Sequence, residues 1–289
     1  MQSRIPSLLL AGMAVAGLVY ASAGQSALAH NFSGDESANF ISTVEKAKVH
    51  LQLASKNLRN SEVALAHIDS ASMHFDEHVV KEIAEKNQRI AKDLPVAFDK
   101  LKTMVLVKSS TASIKKQIGQ VNDLLGEAIT ARIDRAQLRD GDVQTMVFAQ
   151  MVSQALQAYE HASGAMAEEH DNAPASSEHA HSSSSSHNTA GVHDKQAHET
   201  SKAFVSKAST MYSKVKRLAP EDSADEMAKV KAGLRELRNA INHHEPLDKV
   251  TIIVHGKIHD SLIKAFDLKL PAEEEEKEHG HEEGDHMAG

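Results

Sequence analysis

Apolar positions recur at three- and four-residue spacing along most of this chain, the period of amphipathic helices. Val44, Ala47, Leu51, Ala54 and Leu58 form one stripe and predict a helix from about Ser37 to Asn60. Asn60 and Ser61 interrupt it and can cap a second helix. That helix starts near Glu62 with Leu65, Ile68, Ser72, Phe75 and Val79 inward, and either continues through Ile83 and Ile90 or breaks near Asp76. Pro95 suits a first helical turn and is expected to start a third helix carrying Val96, Phe98, Leu101 and Val105. A fourth covers Ala112 to about Leu138 through Ile114, Ile118, Val121, Leu125, Ile129 and Ile133. Asp140-Gly141-Asp142 marks a turn, with Asp142 as the expected N-cap of a fifth helix that reaches Glu169 through Phe148, Val152, Leu156 and Tyr159.

The periodicity stops over residues 170–200, which hold His170, His179, His181, His187, His193 and His198, the serine run Ser182 to Ser186, and almost nothing large and apolar. Such a stretch cannot offset the entropy of ordering its backbone and is expected to be a solvated connector. Helical spacing resumes at Ser201 with Phe204, Ala208, Met211, Val215 and Leu218. After Pro220 a further helix runs from about Ser223 to His243 or His244, before Pro246, and a last one from Leu247 to about Leu270. Thr251 to Val254 alone could be a strand, but its long helical flanks decide for helix. The tail 271–289 is dense in acid and carries His279, His281 and His286, so it too is expected to lack order.

The expected fold is therefore all-α: an antiparallel bundle over 30–169, a connector over 170–200, and a three-helix block over 201–270. Short links between long amphipathic helices favour antiparallel neighbours. The second block either forms a small domain or completes one bundle with the first.

Residues 1–29 read as an export segment. Arg4 precedes the apolar run Leu8 to Tyr20, which is short for the roughly 20 residues a membrane span needs, and Ala27-Leu28-Ala29 is a small-x-small cleavage pattern. An extracytoplasmic location follows, with membrane association if the segment is retained. Cleavage after Ala29 would leave His30 as the terminal residue, whose α-amine and ring could together hold a copper ion.

Composition sharpens the chemistry. There is no Cys or Trp, only 3% is aromatic, and the formal charge of -8 argues against a nucleic-acid partner. Histidine stands out, at 19 of 289 residues, and much of it lies outside any stripe that could be a core. No HExxH, Glu-x-x-His helix pair, GxGxxG, P-loop or GxSxG occurs, and a thiol nucleophile is excluded, so an enzyme is not expected. The defined candidates are two HxxxH spacings, His74 with His78 and His255 with His259. Imidazoles one helical turn apart can face one ion. His67 lies seven residues before His74 and Asp248 seven before His255, so the two sets match at an offset of 181 residues, as a short internal duplication would. The alternative is that these rings edge the apolar stripes and bond water or backbone.

Val254-His255-Gly256-Lys257-Ile258-His259, the helix Met227 to His243 before it, and the opening segment His30 to Ser37 resemble secreted helical proteins of ammonia-oxidising archaea whose activity is not settled. That resemblance implies export and an all-helical fold, and it favours copper, on which those organisms depend outside the membrane. A fainter similarity is to secreted iron-handling proteins of the imelysin type. Their Gly-x-His-x-x-Glu signature is departed from in Gly256-Lys257-Ile258-His259-Asp260.

The expected function is a non-enzymatic, exported protein that binds or buffers transition-metal ions, Cu or Zn ahead of Fe. Its metal candidates are His67, His74, His78, Asp248, His255 and His259, with His30 if it is terminal. The competing reading is a structural or interaction protein of the cell envelope, or an accessory component of a membrane complex, with no specific metal site.

Overall fold

Helix starts in this protein are set by capping side chains, and these decide several boundaries that apolar spacing leaves open. A computed structural model describes residues 35–164 and 194–268. The expected export segment with His30, the expected connector up to residue 193, and the acidic tail from residue 269 lie outside them. The first helix, α1 (Glu36–Lys56), starts where the Asp35 carboxylate accepts from the Ala38 N–H at 2.7 Å. Asn60 caps α2 (Ser61–Met73) and Asp76 caps α3 (Glu77–Lys86), each accepting the N–H three residues on. The second helix thus breaks near Asp76. Asn87 accepts from the Arg89 and Ile90 N–H groups to start α4 (Gln88–Leu106).

Pro95 consequently lies inside α4 rather than at its start. The cap at Asn87 satisfies two otherwise unpaired amides, which outweighs placing the proline at a first turn. Val96, expected inward, is 61% exposed, while Leu94, Ala97, Phe98, Leu101 and Val105 take the buried face. Ser110 caps α5 (Thr111–Arg132), which ends six residues before Leu138 because Ile133 turns extended. The N-cap of α6 (Gly141–Ser163) is Asp140, not Asp142, and accepts from the Asp142 and Val143 amides. Gly164, at φ 76°, closes this helix in the left-handed conformation that glycine adopts most readily.

Beyond the connector, Asp194 caps α7 (Lys195–Leu218), so helix begins six residues before Ser201 and takes in the buried His198 and Thr200. Next come α8 (Ala224–Asn242) and α9 (Leu247–Ile252), a wider π turn over Ile253–His259, and α10 (Asp260–Phe266). Residues 251–254 are helical, as their flanks predict, and the described residues contain no strand.

Two apolar clusters fill the interior. One gathers α2, α3, α4 and α5 against Val44, Ala47 and Leu51 of α1 and Val143 and Val147 of α6. The other gathers α7, α8, α9, the π turn and α10 against Val49 and Leu53 of α1 and Phe148, Met151 and Val152 of α6. Because α1 and α6 present residues to both clusters, the helices after the connector complete one bundle with the first block. Polar ties cross the same seam: Ser201 Oγ donates to the Ala155 carbonyl at 2.7 Å, and Lys207 of α7 pairs with Glu45 of α1. Burial alone would raise the Glu45 pKa, but Lys207 and Lys48 outweigh it and hold the carboxyl below its usual range. Among the described residues no helix is long and apolar enough to cross a membrane.

The close approach of α8 to the π turn rests on Gly233, where an added Cβ would lie 2.7 Å from Ile258 Cγ1. Gly233→Ala is therefore expected to lose about 1–3 kcal/mol in denaturant unfolding, against the usual gain of replacing a helical glycine. Gly126→Ala in α5, with nothing within 4 Å of the new carbon, should gain about 0.5–1 kcal/mol in the same measurement.

Candidate functional site

Packing α2 on α1 brings three histidines to one crevice. His50 on α1 faces His67 on α2, with their Nδ1 atoms 3.4 Å apart and ring centroids 5.6 Å apart. His74, the residue that ends α2, places its ring 6.4 Å from His50. Phe204 of α7 closes the crevice edge-on to His50 at 5.8 Å. His67 is almost entirely buried; His50 and His74 are half-buried.

Burial sets the protonation state. It lowers the His50 pKa to about 3, helped by repulsion from His67, His74 and Lys46. Burial lowers His67 to about 4, and burial together with Lys46 lowers His74 to about 4. Lys46 is itself pushed below its usual value by burial. All three rings are therefore neutral at pH 7, the form in which imidazole binds a metal. Within the His50–His67 pair one Nδ1 donates its hydrogen to the other, so that ring must move its hydrogen to Nε2 before both Nδ1 atoms can face an ion.

The geometry suits an ion partway. Two nitrogens bound to zinc at 2.0–2.1 Å lie about 3.4 Å apart at the tetrahedral angle, the separation that His50 and His67 show. The third ring is not yet in place: among the described residues no three His, Asp or Glu side chains form a complete ligand set.

The expected candidates fare differently. His67 and His74 share one face of α2, as their spacing predicts. His74 and His78 do not form a pair, because the helix ends between them: Phe75 turns in against Phe98 and Asp76 starts α3. His78 points to solvent, with its Nδ1 3.6 Å from Glu82 Oε1. His255 and His259 do meet, edge to face at 5.2 Å, but His259 has no exposed surface through which an ion could arrive. Asp248 lies exposed in the first turn of α9, whereas His255 lies within the wider π turn that begins at Ile253. The two sets do not assemble into one site, since α2 packs on α1 and α4 while the π turn packs on α8 and α6.

The duplication also fails as a structural repeat. Shifted by 181, the link at 57–60 falls on 238–241, inside α8, whereas the real link there is 243–246. His50 has no counterpart, since Lys231 stands at that shifted position. His50 is also the residue that sequence reasoning missed. Its signal was present: it lies three residues after Ala47 and four before Ala54, on the edge of the buried stripe. Comparison with protein-family models, curated proteins and solved structures yields no match.

Proposed function

We propose that this protein is an exported, non-enzymatic binder of transition-metal ions, copper or zinc ahead of iron, and that the crevice between α1 and α2 is its defined site. The supporting observation is the His50–His67 pair, neutral and with Nδ1 atoms 3.4 Å apart. Neutral imidazole suits copper and zinc better than the hard cations that carboxylates hold. His50 and His67 supply two ligands, His74 closes as a third by side-chain rotation, and water completes the shell. The histidines of the connector and tail act, in this reading, as a weaker surrounding pool whose binding also requires unprotonated rings.

Calorimetric titration of the full chain with Zn(II) or Cu(II) at neutral pH, beside a His50→Leu/His67→Leu variant, tests it. The variant should lose the tightest step and keep the weaker background. Superimposable isotherms would leave the envelope structural reading in its place. Lys46 offers a second handle, because its charge opposes a cation beside His50 and His74. Lys46→Met should tighten the same step by about 3- to 10-fold, with the background unchanged. Export is checked separately, by sequencing the N-terminus of protein collected outside the cell.

A further inference from the structure

The end of the α4–α5 hairpin carries two large apolar residues that the fold leaves uncovered. Leu106, the last residue of α4, is 64% exposed, and Val107, its C-cap, is 67% exposed. The turn that holds them is hydrogen-bonded throughout. The Lys108 N–H donates to the Val105 carbonyl at 3.1 Å, the Ser109 N–H donates to the Met104 carbonyl at 2.9 Å, and Ser110 caps α5. Val105 beside the pair packs inward at 2% exposed, so Leu106 and Val107 do not belong to a frayed end. Two adjacent aliphatic side chains placed outward forgo the gain of burial unless something outside the chain supplies it.

The charge around this pair is opposite in sign to that of the chain. The whole carries a formal -8, yet from Lys100 to Asn122 there are five lysines, Lys100, Lys102, Lys108, Lys115 and Lys116, and no Asp or Glu. Lys102 is held by Asp69 at 2.8 Å, and the other four are exposed. By helical rise, Lys100 on α4 and Lys115 and Lys116 on α5 stand about 7–9 Å behind the tip, a distance that a lysine stem can largely span. The α1–α2 link comes to the same end of the bundle, because α2 runs antiparallel to α4, with Asp69 on Lys102 and Phe75 on Phe98. It adds the exposed Lys56 and Arg59, and the exposed acid Glu62.

We infer that this end of the bundle docks on an anionic lipid bilayer, with Leu106 and Val107 entering the interface and the lysines resting among the headgroups. An apolar pair ringed by cations matches what such a surface offers, hydrocarbon beneath negative charge. Lipid is favoured over an acidic protein for two reasons. The basic residues of the hairpin end are all lysine, which follows a mobile headgroup as a point charge, whereas the planar fork of arginine suits a fixed protein partner. A stable protein interface also buries about 800 Å² on each side around a packed apolar centre, far more than two side chains at a hairpin end supply. The remaining surface carries the net negative charge and is repelled, so the bundle stands on this end. The contact is peripheral, since among the described residues no helix can cross a membrane, and it does not rest on the metal-binding reading.

Because the chain has no Cys, Val107→Cys or, at the far end of α5, Thr130→Cys gives the full chain a single thiol for a polarity-sensitive fluorophore. With phosphatidylcholine vesicles containing about a quarter phosphatidylglycerol, emission at residue 107 should shift to the blue and about 0.5 M salt should reverse the shift. Emission at residue 130 should stay where it is. In the labelled Val107→Cys background, Lys115→Gln/Lys116→Gln should raise the lipid concentration at half-shift by about 10- to 30-fold, and Leu106→Ser by about 3- to 10-fold. These positions are exposed, so the variants keep the fold. An unshifted dye at residue 107 overturns the inference, as does an equal shift at residue 130 or a half-shift that the lysine pair leaves in place. A shift at residue 107 that grows with protein concentration in the absence of lipid also overturns it, and puts a second copy of the chain on this end instead.

Discussion

Between pH 7 and pH 4 the metal-free protein should lose about 5 kcal/mol of folding stability, and the His50→Leu/His67→Leu variant much less. In the folded chain His50 stays neutral down to about pH 3, and His67 and His74 to about pH 4. Once unfolded, each takes up a proton near its ordinary value of 6.5. The unfolded state therefore binds more protons throughout the window from pH 6.5 to about 4, and stability falls as pH falls through it. The loss stays well below the sum of the three shifts, because the rings interact and His50 and His74 are partly open to solvent. Glu45, whose carboxyl is depressed, adds to the loss below pH 4.5, whereas Glu160, raised by burial, opposes it. Both are present in the variant, so the difference between the two proteins isolates the crevice. Urea unfolding at half-unit pH steps, with chelator present, measures it. Parallel curves for the two proteins would show that the rings are solvated in the folded state.

Phe148→Ala should cost about 3–5 kcal/mol and should weaken both halves of the molecule together. Phe148 is fully buried on α6 in the cluster with α7 and α8, and its neighbour Val147 faces the other cluster. Any motion of α6 into the cavity is thus felt on both sides. Native-state hydrogen exchange is the discriminating measurement. Amides in α4 and α5 should lose protection along with those in α7 and α8. Loss confined to α7, α8 and α10 would mean two units that open separately.

The sites were legible only in part. His67 and His74 stand out by helical spacing, and the structure places them on one face of α2. His78 obeys the same rule and fails, because Asp76 caps a new helix and Phe75 finds a buried partner in Phe98. His255 and His259 lie together, since the wider π turn still leaves residues four apart close. What spacing could not reveal was His50, seventeen residues before His67. That pair exists only because α2 folds back on α1.

The all-α class, the position of most helices and the residues that line them are written in the order of the amino acids. The reason is that burying one face of a helix requires an apolar residue every three to four positions, a rule that operates locally. Two features depend on the folded chain as a whole. One is that the helices on either side of the connector form a single bundle, which results from α1 and α6 each lining both cores. The other is which histidines meet. Ring-to-ring contact depends on the register of one helix against another, and that register is set by the whole packed interior, including the bare surface of Gly233 and the caps at Asp76 and Asp194.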